Sequence, residues 1–151
     1  MCIRDRFSVG YPSIDDEMLI LERLQLSHPI NDLGSVVTSE EIVQCQELCR
    51  QVHVDPKISK YILQIVHLTR HHEHLSLGGS PRASIALFRT CQAMAAIRGR
   101  NFVMPDDVKM IAAPVLNHRM ILKPESRLRK ITADQVVSQL ISEIAVPVIG
   151  N

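Results

Sequence analysis

Three groups of residues in this chain have the types and spacing to do chemistry. The first is Gly78-Gly79-Ser80-Pro81-Arg82. Serine followed by proline marks a helix start, with Ser80 as the cap and Pro81 presetting the first turn, and the two glycines allow a tight turn before it. Arg82 then falls at the second helical position, where the helix dipole is positive and favours anions. Backbone N–H groups at such a terminus bind phosphate, and a guanidinium adds a planar fork matched to phosphate oxygens. An anion held there would make use of the arginine. An arginine that simply leans into water is the ordinary alternative. Arg89, seven residues on, lies on nearly the same helix face and could support the same anion.

The second group is His71, His72 and His74 with Glu73, and the third is Cys45 and Cys49 at i, i+4. Both invite a metal reading. The histidines stand where a helix gives way to the Gly-Gly loop and read as a solvated run. The cysteines share a helix face with Ile42 and Val52 and read as buried small hydrophobes. Neither group is assigned a metal. Phosphate-binding loops of the G-x-x-x-x-G-K-[ST] or G-x-G-x-x-G type, H-E-x-x-H and G-x-S-x-G are all absent, so no complete enzyme is visible.

The elements that must position these residues are helical. Ser13 opens a helix with Asp15, Asp16 and Glu17 in its first turn, and Thr38 with Glu41 forms a capping box ahead of Ile42, Cys45, Cys49 and Val52. Asp55-Pro56 begins a third helix, with Ile58, Tyr61, Ile62, Ile65 and Thr69 along one side. The helix from Ser80 to about Arg98 is apolar almost all round, so it is expected at the centre, surrounded by the others, and Gly99 ends it. Val108, Ile111, Ala112, Val115 and Leu116 line a fifth helix that Pro114 should kink or break, and Thr132 with Gln135 caps a last one ending before Pro147. The reading is an all-α compact bundle of about six helices, with a short extended segment, Phe7 to Ser13, at the N-terminus. Residues 1–6, "MCIRDR", match no pattern and read as a non-native leader.

Composition bounds the function. With 151 residues, 46% hydrophobic and 22% charged, the chain can bury a full core. A net charge of +1 gives no footprint of a nucleic-acid binder, and no apolar run is long enough to span a membrane. Four cysteines without a C-x-x-C pair and no secretory signal point to a reducing, cytoplasmic setting.

The run "GGSPRASIALFRTCQAMAAIRGRNFVMPDDVKMIAAPVLNHRMIL" resembles the C-terminal lid of MoxR-type AAA+ ATPases, which carries a G-[AG]-S-P-R-[AS] signature, then "GR-[DN]-[YF]-V-x-P-[DE]-D-V" and "VLxHR". The resemblance extends upstream through "VHVDPKISKYILQIVHLTR" to "GYPSIDDEMLIL", covering almost all of residues 7–149. It implies that residues 7–13 are the junction between core and lid, and residues 14–149 the helical lid itself. It also implies that Arg82 is the sensor-2 residue reaching the γ-phosphate of ATP, with Gly79, Ser80 and Pro81 shaping the turn that presents it. Asp5-Arg6-Phe7 repeats the family's "DRF" arginine-finger run, but too close to Gly10 for the family's spacing, and Arg6 is read with the leader.

The function implied is γ-phosphate sensing coupled to chaperone-like remodelling in a hexameric, homo-oligomeric ring, with ATP and Mg²⁺ held mainly by an N-terminal AAA+ core outside this chain. A von Willebrand A domain protein is the implied partner class. On this reading the isolated chain is not an enzyme, though it is part of an ATPase when complete. Lys123, Arg127, Arg129 and Lys130 in "KPESRLRK" read as a solvated loop, with contact to a ring neighbour as the lesser alternative. Two other functions stay open: a stand-alone helical interaction module without nucleotide, and the lid of a magnesium-chelatase-like AAA+ ATPase.

Overall fold

A computed structural model describes residues 6–25 and 28–148. Of the residues read as a leader, 1–5 lie outside the described set, and Arg6 donates its backbone N–H to the Pro114 carbonyl at 2.9 Å. The described chain divides into two compact units, residues 7–44 and a larger one from Cys45 onward that also includes Arg6.

In the first unit, residues 7–13 form no regular element, and α1 (Ile14–Leu24) follows. A complete capping box starts α1: Ser13 Oγ accepts from the Asp16 N–H at 3.2 Å, and the Asp16 carboxylate accepts from the Ser13 N–H and hydroxyl. A 3₁₀ turn, Pro29–Asp32, leads toward α2 (Ser39–Gln51), whose start is fixed by the expected box between Thr38 and Glu41. No residue of α1 is buried.

The second unit carries the core. After the last turns of α2 come α3 (Pro56–Thr69), β1 (Leu75–Leu77), α4 (Pro81–Ile97), α5 (Pro105–Leu116), β2 (Ile121–Leu122), α6 (Pro124–Leu128) and α7 (Ala133–Glu143). Helix α4 packs on α3 and α5, while α7 packs on both of those. The buried set is aliphatic: Ile58, Ile62 and Ile65 of α3, Leu87 and four alanines or cysteines of α4, Val108, Ile111 and Leu116 of α5, and Val136, Val137 and Leu140 of α7. Small side chains along α4 (Ala83, Ala86, Cys91, Ala95) let its neighbours approach closely. β1 and β2 pair antiparallel, Leu75 opposite Leu122 and Leu77 opposite Ile121 with an irregularity between them.

Several expectations are corrected by this packing. Seven α-helices are present among the described residues, close to the six or so expected; the additional one lies in "KPESRLRK", whose Lys123, Arg127, Arg129 and Lys130 are exposed as expected but stand on a short helix rather than a loop. Pro124 starts α6 there, Ser126 is buried, and Lys130 closes the turn with φ 60°, a left-handed conformation that costs a side-chain-bearing residue about 1 kcal/mol. Pro114 does not break α5, which runs through it to Leu116 before a 3₁₀ turn at Asn117–Arg119; so near the C-terminus the ring forfeits one hydrogen bond and little else. Helix α4 is not enclosed on all sides: among the described residues no neighbour covers the stripe of Arg82, Ile85 and Arg89, and Ile85 stays 62% exposed. Cys45 is exposed and Cys49 only half-buried, since within its unit α2 meets the core only near Val52. No described helix is long and apolar enough to cross a membrane.

A buried charge locks α4 to α5. Gly99, with φ 69°, ends α4 in a Schellman turn: the Gly99 N–H donates to Ala96 O and the Arg100 N–H to Ala95 O, both at 2.9 Å. The chain then brings Arg100 back over the start of α5, where both of its terminal nitrogens bond the fully buried Asp107 carboxylate at 2.6 and 2.9 Å. The Met104 N–H donates to the same group at 2.8 Å, and Arg98 joins at 3.3 Å. Burial alone would push the Asp107 carboxyl up, but the Arg100 hydrogen bonds, the Met104 N–H and the two guanidinium charges outweigh it and hold the group below its ordinary value.

A depressed carboxylate stabilises the fold above its unfolded pKa of about 3.9, and that contribution is lost as pH falls through the folded value. Asp107→Asn should therefore cost about 2–3 kcal/mol at neutral pH, since the partly exposed guanidiniums can retreat to water. Urea unfolding of both proteins between pH 7 and pH 2.5 should show the gap closing below about pH 4.

Candidate functional site

The site is built from the end of α3 upward. Thr69, the last residue of α3, is fully buried, and its hydroxyl donates to the Val66 carbonyl at 2.6 Å. The same oxygen accepts the Gly79 N–H at 2.8 Å, while Arg70 Nε donates to the Gly79 carbonyl at 2.8 Å. Both polar groups of the Gly79 backbone are thereby satisfied by the end of α3.

The glycines matter for a different reason than the sequence implied. Neither Gly78 nor Gly79 has positive φ, so conformational freedom is not what the loop needs. A Cβ on Gly78 would stand 2.5 Å from the backbone of Thr69 and Arg70, and one on Gly79 would meet Val66 at 3.0 Å and Ala83 at 3.3 Å. Close approach of two backbones requires the missing side chains.

Helix α4 begins from this anchor. Ser80 stands at the N-cap with extended backbone, and its carbonyl accepts the Ala83 N–H at 2.8 Å, but its side chain makes no capping hydrogen bond. That corrects the expectation for Ser80: the helix start is positioned by Gly79, and no side-chain oxygen occupies the first-turn N–H groups. Pro81 is at the first helical position, as expected. Arg82 follows, exposed and without a hydrogen bond or ion pair among the described residues.

Arg89 shares the exposed stripe with Arg82, about 10 Å further along the axis at 1.5 Å per residue. Its guanidinium is already engaged, donating to Gln92 Oε1 at 3.1 Å and lying 5.9 Å from the centre of the Phe88 ring. The structure thus groups Gly79, Ser80, Pro81 and Arg82 at one helix terminus and turns Arg89 toward the following turn.

The histidine run is not simply solvated. His72 and His74 are half-buried, with ring centres 5.3 Å apart, and the His72 ring accepts the His74 N–H at 3.2 Å. The His74 ring meets Ser126 Oγ at 3.3 Å, and its carbonyl accepts the Lys123 N–H at 3.0 Å, so this residue ties β1 to α6. Burial, then the neighbouring His74, lowers the His72 pKa. Among the described residues no three His, Cys, Asp or Glu converge on a common point.

Comparison with known proteins adds a frame for this geometry. Residues 67–148 match the family described as AAA lid domain. The uncharacterized protein YeaC of Bacillus subtilis is 40% identical over 148 residues, covering 95% of this chain and 46% of that protein. Chaperone MoxR1 of Mycobacterium tuberculosis is 29% identical over 157 residues, covering 95% of this chain and 41% of its own length. A crystal structure of a proposed ATPase from Cytophaga hutchinsonii superposes with a TM-score of 0.82 at 24% identity, over 92% of this chain and 45% of that one. The chain spans less than half the length of these relatives.

The double role of Thr69 gives a clean test of the anchor. Thr69→Val keeps the volume but strands a buried N–H at Gly79, which should cost about 1–3 kcal/mol, whereas Thr69→Ser, which keeps the hydroxyl, should lose less. Thermal and urea unfolding of the two variants against the parent measure the difference.

Proposed function

We propose, on the premise that this chain belongs to the AAA lid domain family and is of the MoxR type, that it senses the terminal phosphate of ATP through Arg82. The observation that carries the reading is the combination at the start of α4. A guanidinium with no partner among the described residues stands beside first-turn N–H groups that no side chain caps, on a turn held in place from both sides of Gly79. An isolated cation at a positive helix end is unfavourable until an anion arrives.

Within this reading, residues 7–13 are the junction to an N-terminal nucleotide-binding core, residues 14–149 make up the lid, and the core supplies the remaining contacts to ATP and Mg²⁺. What this chain's residues fit is the phosphate end of the nucleotide. Gly79, Ser80 and Pro81 set the position and direction of the donors and Arg82 supplies the fork, while Arg89, two turns further along and held by Gln92, adds positive charge to the same stripe without reaching the phosphate. Loss of the phosphate after hydrolysis would release the lid, and the larger unit, with α4 held at both ends, would pass the change to neighbouring subunits of a ring. A cytoplasmic, chaperone-like remodelling ATPase of hexameric form, working with a von Willebrand A domain partner, is the whole-protein function proposed. Support for the chaperone class comes from the likeness to MoxR1.

In the complete ATPase, Arg82→Ala should lower ATP turnover at least about tenfold, the scale of losing one charged donor to a developing phosphate charge. Because Arg82 is exposed and unpaired, the melting temperature should stay within about 1 °C of the parent. Unchanged turnover in a correctly assembled protein would take Arg82 out of the mechanism.

A further inference from the structure

The cysteine pair on α2 was expected in the core, and its exposure opens a different chemistry. Cys45 is exposed and Cys49 half-buried, and both line one cavity of about 640 Å³ together with Leu48, Val52, Ala96 and Ile97. We propose that Cys45 and Cys49 form a two-thiolate site for a soft, two-coordinate cation of the Cu(I) type.

The register on the helix decides what the pair can and cannot do. Both residues lie within the unbroken span of α2, where side chains four apart hold their Cβ atoms about 5–6 Å from each other. A disulfide requires about 3.5–4.5 Å between those atoms, so the pair cannot close on itself while the helix persists. Two metal–sulfur bonds of about 2.3 Å in line set the sulfurs about 4.6 Å apart, a span this register accommodates.

Coordination number then selects the ion. Zinc in a structural site completes a tetrahedral set of four ligands, and among the described residues no third His, Cys, Asp or Glu joins these two. Soft thiolates in a low-coordinate site favour Cu(I) over harder divalent ions. The largely apolar lining of the cavity disfavours hard, hydrated competitors. Cys91 does not compete: it is fully buried, and burial, with Asp107 nearby, pushes its thiol up to about 12. Binding is a ligand exchange without electron transfer. Cu(I) gains two Cu–S bonds, each thiol releases its proton to solvent, and the bis-thiolate complex carries one negative charge, so affinity rises with pH.

The test titrates the full reduced chain with Cu(I) under anaerobic conditions against the chromophoric competitor bicinchoninate. One Cu(I) per chain is expected, without a change in oligomeric state, and unchanged in Cys2→Ser. Cys45→Ser and Cys49→Ser should each weaken binding by at least about 100-fold, more than a supporting contact to a ligand is worth, and Zn(II) should bind the parent at least about 100-fold more weakly than Cu(I). Circular dichroism checks that α2 survives. If Cys49→Ser does not fold, the exposed position 45 decides alone. Retention of Cu(I) by the folded Cys45→Ser protein, equal affinity for Zn(II), or one Cu(I) shared between two chains would overturn the proposal.

Discussion

The larger unit depends on one close approach, that of the Gly78-Gly79 backbone to the end of α3. The distance available there leaves no room for a Cβ on Gly78, and the Thr69 hydroxyl works in two directions at once, donating within α3 and accepting from the loop. The direction in which α4 leaves the loop follows from this contact. So does the placement of everything on its exposed stripe, Arg82 first. A helix start fixed by its neighbour rather than by its own cap has no side chain over its first turn, where Pro81 carries no N–H and the Ala83 N–H is satisfied by the Ser80 carbonyl.

The far end of α4 is fixed by different physics. Gly99 turns the chain, and Arg100 and Arg98 close over the buried Asp107 at the start of α5. One end is held by steric fit and neutral hydrogen bonds, the other by charge. A rod pinned at both ends transmits displacement without bending, which is the property a lid needs if the proposed phosphate contact at one end is to move the body as a whole.

Much of this was legible in the sequence because it is local. The capping residues Ser13, Thr38, Asp55 and Thr132 and the terminating Gly99 act within a few residues of themselves, and each stands where its spacing placed it. The all-α architecture followed from the same spacing, whereas the AAA lid reading came from the resemblance of the "GGSPRA" and "MPDDV" runs to that family. Burial was less legible. The stripe Ile42, Cys45, Cys49 and Val52 is apolar at helical period, yet only Val52 is buried, because periodicity reports which face is apolar and not whether a partner covers it. Ile85 made the same point on α4. The steric role of Gly78 and the α6 turn around Ser126 depend on partners distant in sequence and left no local trace, although the unpaired Arg82 could be read as an anomaly from its position alone.

The short β1–β2 ladder has a consequence for cooperativity. It joins Leu75 and Leu77 to Leu122 and Ile121, closing a loop that contains the whole of α4 and α5. Closing so long a loop costs chain entropy that a few rungs cannot repay, so the ladder persists only while the helices inside it stay packed. The strand that leads into Gly78 thus depends for its pairing on the packing of the helices it encloses. The helix end bearing Arg82 inherits that dependence: its geometry is a property of the entire folding unit, not of the five residues that spell it.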